Sequence, residues 1–304
     1  MNTIEIFTRS YVDEKGHWNL SRDTIDSVIK LFNLDVNNCI SWVILVSNYD
    51  ELNTPKKFDL FDLTKLIDLE RYRTMEKLHF IFVKDKLSCS EARVEIYRNI
   101  IEYYTQFKSM TRLCTSQPDF FMNLDSDDEL INYNALIALT NYAPHIKDDL
   151  IGFGLEFNGG EPFSDEWTWN IDKFNYSRRY ITTETQTMFL FLHSYNIIEY
   201  AMQMRRFFKS GPVGDPNESC DDTLMAIEVS YANTLSERFS IGALCANLIR
   251  YKIHPNQVSE NQEAEFKKWL KDKLHEYGYL YVNSENYYIE EFGKIKKFIP
   301  VKPR

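Results

Sequence analysis

Several things are missing from this chain of 304 residues, and each absence excludes something. Its five cysteines (Cys39, Cys89, Cys114, Cys220 and Cys245) fall in no Cys-x-x-Cys spacing, which speaks against a disulfide framework or a zinc site and for reduced thiols. No apolar segment follows a basic start, so no signal peptide is expected. No apolar run reaches the roughly 18–20 residues that a spanning helix needs. A cytoplasmic protein without a transmembrane segment is the expectation. Basic charge is also in short supply: 35 Lys and Arg stand against 45 Asp and Glu, for a net charge of -10. A broad polyanion-binding surface is therefore not expected, and only a local basic groove fits. Internal repeats, low-complexity segments and a clear domain linker are absent too.

What is present is an ordinary globular composition, 44% hydrophobic and 26% charged, with an aromatic share of 15%. The aromatic side chains supply core, and also flat faces for bases and sugar rings. The first half alternates. Short β-rich or continuous apolar runs at Thr3–Thr8, Ile40–Val46 and Leu78–Val83 read as strands. Between them, Asp23–Leu34 carries Ile25, Val28, Ile29, Leu31 and Phe32 at helical spacing, with Ser21 or Asp23 as its cap. Leu60–Met75 and Ser90–Phe107 are further helices, the latter opened by Ser90-Glu91. A fourth strand then ends in acids. This alternation predicts an α/β fold with a mostly parallel sheet flanked by helices, whose ligand lies beyond the carboxyl ends of the strands.

The second half is less regular. A helix is expected over Asn132–Thr140, a strand over Leu150–Phe157, and helices over Tyr195–Phe208, Asp221–Leu235 and Glu263–Tyr277. A short strand at Leu248–Pro255 is stopped by proline. Ser210–Ser219 is a breaker-rich loop. The basic stretch from Gly293 to Arg304 reads as a solvated tail. One domain over 1–304 is expected: a ligand-binding half (1–130), a second half completing the site (131–260), and a C-terminal helix and tail (261–304).

Chemistry concentrates in three places. The apolar run Phe120-Phe121-Met122-Asn123-Leu124 breaks into Asp125-Ser126-Asp127-Asp128. Three carboxylates so close repel one another, and a divalent cation is the simplest relief. Acids at the start of a helix, with Asp128 as its cap, are the plainer explanation. Cys220-Asp221-Asp222-Thr223 follows the breaker-rich loop and fits either a helix cap or a general base. In Tyr251-Lys252-Ile253-His254-Pro255 a lone imidazole ends a strand. It is either structural or, beside carboxylates, a ligand for Mn2+ or a similar ion.

Taken in order, Ser90-Glu91-Ala92-Arg93, Leu124-Asp125-Ser126-Asp127-Asp128, Asp221-Asp222 and Tyr251-Lys252-Ile253-His254-Pro255 with Ser259 resemble the family-2 glycosyltransferases of the GT-A fold. The resemblance implies a metal-dependent, inverting transfer of a sugar from a nucleotide-sugar donor to a hydroxyl of a saccharide or glycoconjugate. It implies Asp127 and His254 as ligands of Mn2+ or Mg2+, Asp125 beside the ribose or metal, and Arg93 toward the nucleotide or its phosphates. It further implies Thr8 and Arg9 near base and ribose, and Asp222 as catalytic base. Trp167 and Trp169 are candidates for stacking on an acceptor sugar, with Asp221 nearby. Two positions depart from the family pattern: Thr8-Arg9-Ser10-Tyr11 replaces Pro-x-x-Asn after the first strand, and Ser47-Asn48-Tyr49-Asp50 replaces an Asp-rich turn after the second. Two other functions fit the sequence less well. One is a bacteriophage-type transferase acting on modified DNA bases, which the acidic balance disfavours. The other is a non-catalytic binding protein with a degenerate transferase fold.

Overall fold

Strand and helix alternate through the first half as the apolar spacing requires. The computed structural model describes residues 3–50, 60–109, 118–142, 148–157, 191–204, 238–252, 279–283, 286–291 and 294–298. Strand β1 (Ile4–Tyr11) leads to α1 (Arg22–Leu34), β2 (Ile40–Ser47), α2 (Leu60–Thr74), β3 (Leu78–Phe82), α3 (Cys89–Ser109) and β4 (Phe120–Asn123). After the acidic turn come β5 (Glu129–Leu130), α4 (Tyr133–Tyr142), β6 (Leu150–Phe157), β7 (Phe191–His193), α5 (Tyr195–Met204) and β8 (Ile241–Tyr251). Strands β9 (Tyr279–Asn283), β10 (Asn286–Glu291) and β11 (Lys294–Phe298) form a separate antiparallel sheet.

The larger sheet has eight strands in the order β3-β2-β1-β4-β7-β6-β8-β5. β3, β2, β1 and β4 pair in parallel. β7 runs antiparallel to both β4 and β6, so β6 shares the direction of β4, and β8 is parallel to β6. β5 opposes β8. The mostly parallel sheet expected from the sequence is thus found in the first half, while the second half is mixed. The reason is that β7, three residues long, is inserted against the grain between β4 and β6, and β5, two residues long, closes the edge antiparallel to β8. The carboxyl ends of β1, β2, β3, β4, β6 and β8 consequently share one edge, the edge at which such sheets bind ligands.

The apolar run of β2 lies buried from Trp42 to Val46, as a strand covered on both faces must. Helix α1 is capped by Ser21, whose side chain accepts from the Thr24 N–H, and it buries Ile25, Val28, Leu31 and Phe32. Helix α3 buries Ala92, Ile96, Tyr97 and Ile100, with the Tyr97 ring edge-on to Phe7. Two buried lysines tie connections to this core. Lys65 donates to the Trp18 and Leu20 carbonyls and pairs with Asp62. Lys77 donates to the Phe32 and Asp35 carbonyls and pairs with Asp35, whose carboxylate also accepts from the N–H groups of Cys39 and Ile40.

Three expectations are corrected. Strand β8 begins at Ile241, seven positions before the predicted Leu248. Residues Lys294–Phe298 pair with β10 rather than trailing as a tail. Helix α3 is opened by Ser88 rather than Ser90: the Ser88 hydroxyl accepts from the Glu91 N–H, and the Glu91 carboxylate accepts from the Ser88 N–H. The predicted helices over 221–235 and 263–277 and the loop over 210–219 lie outside the described residues. Among the described residues no helix is long and apolar enough to cross a membrane.

Candidate functional site

The site is built where β4 stops short. β1 and β4 run in register from Ile4–Phe120 to Phe7–Asn123, and there β4 ends while β1 continues to Tyr11. Arg9 therefore projects beside the chain that has left the sheet. Its Nη2 donates to Asp125 Oδ1 at 2.9 Å and its Nη1 to the Cys89 carbonyl at 3.1 Å. Asn123 Nδ2 donates to the same Asp125 oxygen at 3.0 Å. Burial alone raises the Asp125 pKa. The Arg9 charge and hydrogen bond, the Asn123 hydrogen bond and the charge of buried Arg93 outweigh it and hold the carboxyl below its ordinary range.

Asp128 shows the opposite behaviour. Its Oδ1 accepts from the Lys252 N–H at 3.0 Å, at the end of β8, and its Oδ2 is buried with no hydrogen-bond partner among the described residues. Burial first, then the charges of Asp125 and Asp127, push its pKa up to about 9. That shift favours the neutral carboxyl at physiological pH. It does not cap a helix: β5 follows it directly and α4 starts only at Tyr133. Helix-terminus placement therefore does not account for the acids, because the chain re-enters the sheet before any helix begins.

Asp127 stands between these two, partly exposed at the carboxyl edge. Beside the burial of Asp128, the charges of Asp125 and Asp127 raise its pKa further, and a cation would relieve that negative potential. Among the described residues no three His, Cys, Asp or Glu side chains gather into a metal site. The donor set nonetheless fits Mg2+ or Mn2+, which take hard carboxylate oxygens and complete their shells with phosphates and waters. Asp127 would hold such an ion.

The remaining expected residues fall as follows. Thr8 is buried, and its hydroxyl accepts from the Trp42 indole N–H at 2.9 Å. The residue at the end of β1 is Tyr11, 39% exposed, with the Lys86 ammonium 5.7 Å from its ring centroid. Asp221, Asp222, His254, Trp167 and Trp169 lie outside the described residues. The structure therefore brings Arg9, Arg93, Asp125 and Asp127 to one edge. It also adds residues that no motif marked. Arg250 donates through Nε and Nη2 to Glu156 at 3.0 and 2.9 Å and through Nη1 to Glu129 at 2.8 Å, bridging β8, β6 and β5. Lys252 pairs with Asp23 of α1.

No protein-family model matches the sequence, and no curated protein matches it. Solved structures do. A mannosyltransferase from Pyrobaculum calidifontis, in complex with GDP-Man and Mn2+, superposes with a TM-score of 0.53 at 9% identity, over 89% of this chain and 65% of its own. TarS residues 1–349 from S. aureus, in complex with UDP-GlcNAc, superposes with a TM-score of 0.51 at 11% identity, over 85% of this chain and 60% of its own. The chain thus spans about three-fifths of the length of these structures and shares their fold.

Proposed function

We propose that the protein is a metal-dependent glycosyltransferase that moves a sugar from a nucleotide-sugar to a hydroxyl of a saccharide or glycoconjugate, with inversion. The observation that carries this reading is the acidic turn at the carboxyl edge: an ionised Asp125 clamped by Arg9 and Asn123, two residues before a partly exposed Asp127. The fold shared with a mannosyltransferase bound to GDP-Man and Mn2+ supports it.

In this reading Asp125 receives a ribose hydroxyl and Arg9 fixes the orientation of its carboxylate. Thr8 acts from behind, through the strand it anchors. Tyr11 offers its ring to the base, and Lys86 and Arg93 place positive charge on the nucleotide side. Asp127, with His254, would hold Mn2+ or Mg2+ on the diphosphate side. The bound ion supplies charge stabilisation for the departing nucleoside diphosphate. Asp222 takes the proton of the acceptor hydroxyl as its oxygen attacks the anomeric carbon from the opposite face. Trp167, Trp169 and Asp221 line the acceptor side.

The test uses the donors seen in the two structures. UDP-GlcNAc and GDP-Man, each incubated with the protein and Mn2+, are expected to yield slow release of UDP or GDP from one of them. Asp127→Ala should lower that release by about a hundredfold or more, in line with loss of a principal electrostatic group. If a wider panel of nucleotide-sugars is neither bound nor hydrolysed with Mn2+, and Asp127→Ala behaves as the parent, the reading fails. Binding without any turnover would instead identify a non-catalytic binding protein.

A further inference from the structure

The acidic turn closes on one backbone bond of its own, from the Asp128 N–H to the Asp125 carbonyl at 3.2 Å, and the start of α1 with the residues just before it holds the rest. The Ser21 N–H donates to the Ser126 carbonyl at 2.7 Å. Asn19 Nδ2 donates to Ser126 Oγ at 2.8 Å, while Asn19 Oδ1 accepts from the Tyr11 N–H at 2.6 Å, joining the end of β1 to the turn. Thr24 Oγ1 lies 3.0 Å from the Ser126 carbonyl and 2.6 Å from the Asp128 carbonyl. Ser27 Oγ accepts from the Leu130 N–H at 3.1 Å. Thr24 and Ser27 are buried, so these contacts are shielded from competing water.

The donors can be assigned. A hydroxyl carries one proton. The Ser21 oxygen accepts from the Thr24 N–H, and its proton is directed at Thr24 Oγ1, 2.7 Å away. Thr24 Oγ1 thus accepts from Ser21 and has its own proton to give. The Ser126 carbonyl already accepts from the Ser21 N–H, so the shorter contact, to the Asp128 carbonyl, takes the larger share. The hydroxyl relay Ser21 to Thr24 to Asp128 carbonyl fixes the backbone after Asp127, while the Ser21 N–H fixes it before. The Ser126 carbonyl before Asp127 is thus held chiefly by the Ser21 N–H, and the Asp128 carbonyl after it chiefly by the Thr24 hydroxyl.

We infer that Thr24 is a positioning residue for Asp127, setting the direction of its carboxylate through the Asp128 carbonyl that follows it; the inference rests on the metal-binding role proposed for Asp127. A side chain rotates about its own bonds, but the direction of its Cα–Cβ bond is fixed by the backbone, and a metal ligand has little tolerance for a misdirected stem. Thr24 touches no reacting atom in this scheme and acts only through the turn.

The experiment is a titration of Mn2+ in the presence of UDP, and separately of GDP, into the full chain by calorimetry, with urea unfolding of each variant in parallel. Thr24→Val preserves shape and removes the proton donor. It should weaken metal-dependent nucleotide binding by about tenfold or more, while Thr24→Ser should restore affinity to within about twofold of the parent. Ser27→Ala, which loosens the turn only at Leu130, should weaken binding by about threefold. A merely structural role would lower the urea midpoint and leave the affinity of the folded protein unchanged. That outcome, in Thr24→Val or, where Thr24→Val does not fold, in Ser27→Ala, overturns the inference. If the parent protein itself binds neither nucleotide with Mn2+, the proposed function has failed, a result distinct from variants that bind as well as the parent.

Discussion

The two halves of the large sheet treat charge differently, and the acidic turn lies on the seam between them. In the parallel half, β3-β2-β1-β4, cations are buried and committed: Lys65 and Lys77 hold loop carbonyls and carboxylates inside the structure, and Arg9 is folded onto Asp125. In the mixed half, β7-β6-β8-β5, Arg250 lies partly open between two glutamates at the carboxyl edge, and β6 and β8 pair with register shifts. Asp125 and Asp128 belong to one turn but face opposite halves. Asp125 meets two arginines and ionises readily; Asp128 meets a backbone N–H and stays protonated. Neighbourhood rather than sequence position decides their protonation. The buried charges of the first half are settled against protein partners, while Arg250 in the second stays partly open at the edge.

The largest effect that tests this contrast is expected at Lys65. Its ammonium and the Asp62 carboxylate are almost fully buried, only 6% and 2% exposed. Lys65→Met would leave Asp62 buried without its cation and the Trp18 and Leu20 carbonyls without their donor. Breaking such a pair costs about 3–5 kcal/mol, to be read from the urea midpoint. A loss below about 1 kcal/mol would show that the parallel half does not depend on its buried cations.

Next comes the pH dependence set by Asp128. Its folded pKa of about 9 lies above the ordinary carboxylate value near 3.8. Between those values the folded state binds a proton that the unfolded state releases. This contribution is fully present at pH below about 4 and is lost as pH rises toward 9, at about 1.4 kcal/mol per pH unit. Asp125 has the opposite sign: its lowered pKa adds stability above the ordinary carboxylate range and loses it as pH falls through the folded value, so it gives no slope near neutrality. In EDTA, the parent should therefore lose about 3 kcal/mol between pH 6 and pH 8, and Asp128→Asn should remove that loss. Equal slopes in parent and variant would contradict the assignment of Asp128 as the neutral member of the turn.

The parallel half was the readable one, and the reasons are local. Continuous apolar runs and helical spacing identify β2, α1 and α3, and Ser21 announces the start of α1. The end of β1 was hidden because its last residues are polar. Ser10 is satisfied inside the sheet, giving its proton to the Leu45 carbonyl and accepting from the Trp18 indole, which hydropathy cannot reveal. β5 and β7 are too short to carry a pattern. The start of β8 passes through Gly242, where a Cβ would push against the Asp148 side chain; a glycine there reads as an interruption. In the site, Arg93, Asp125 and Asp127 were visible as motif positions. The grip of Thr24 was not, because its partners are backbone carbonyls about a hundred residues away, and no residue identity encodes a carbonyl. Arg250 and Glu156 were equally silent, since only strand pairing brings them together.

The smallest effect belongs to that cluster and separates stability from binding. Arg250, Glu129 and Glu156 are 34%, 27% and 22% exposed, so water screens their attraction, and Arg250→Met should change stability by less than about 1 kcal/mol. Its effect on binding should be clearer. Removing the cation leaves two carboxylates facing each other at the edge where Asp125 and Asp127 already gather negative charge. An anionic nucleotide then meets a more repulsive site, and UDP or GDP affinity in Mn2+ should fall about threefold at low salt, a change of the size that a single charge exerts across partly solvated protein. Because the charge is open to solvent, raising ionic strength should erase most of the difference. The expected pattern is thus the reverse of that at Lys65: little change in the urea midpoint and a salt-sensitive change in affinity. If Arg250→Met unfolded the protein as readily as Lys65→Met, the mixed half would be as dependent on its ion pairs as the parallel half, and charge at its edge would be scaffold as well.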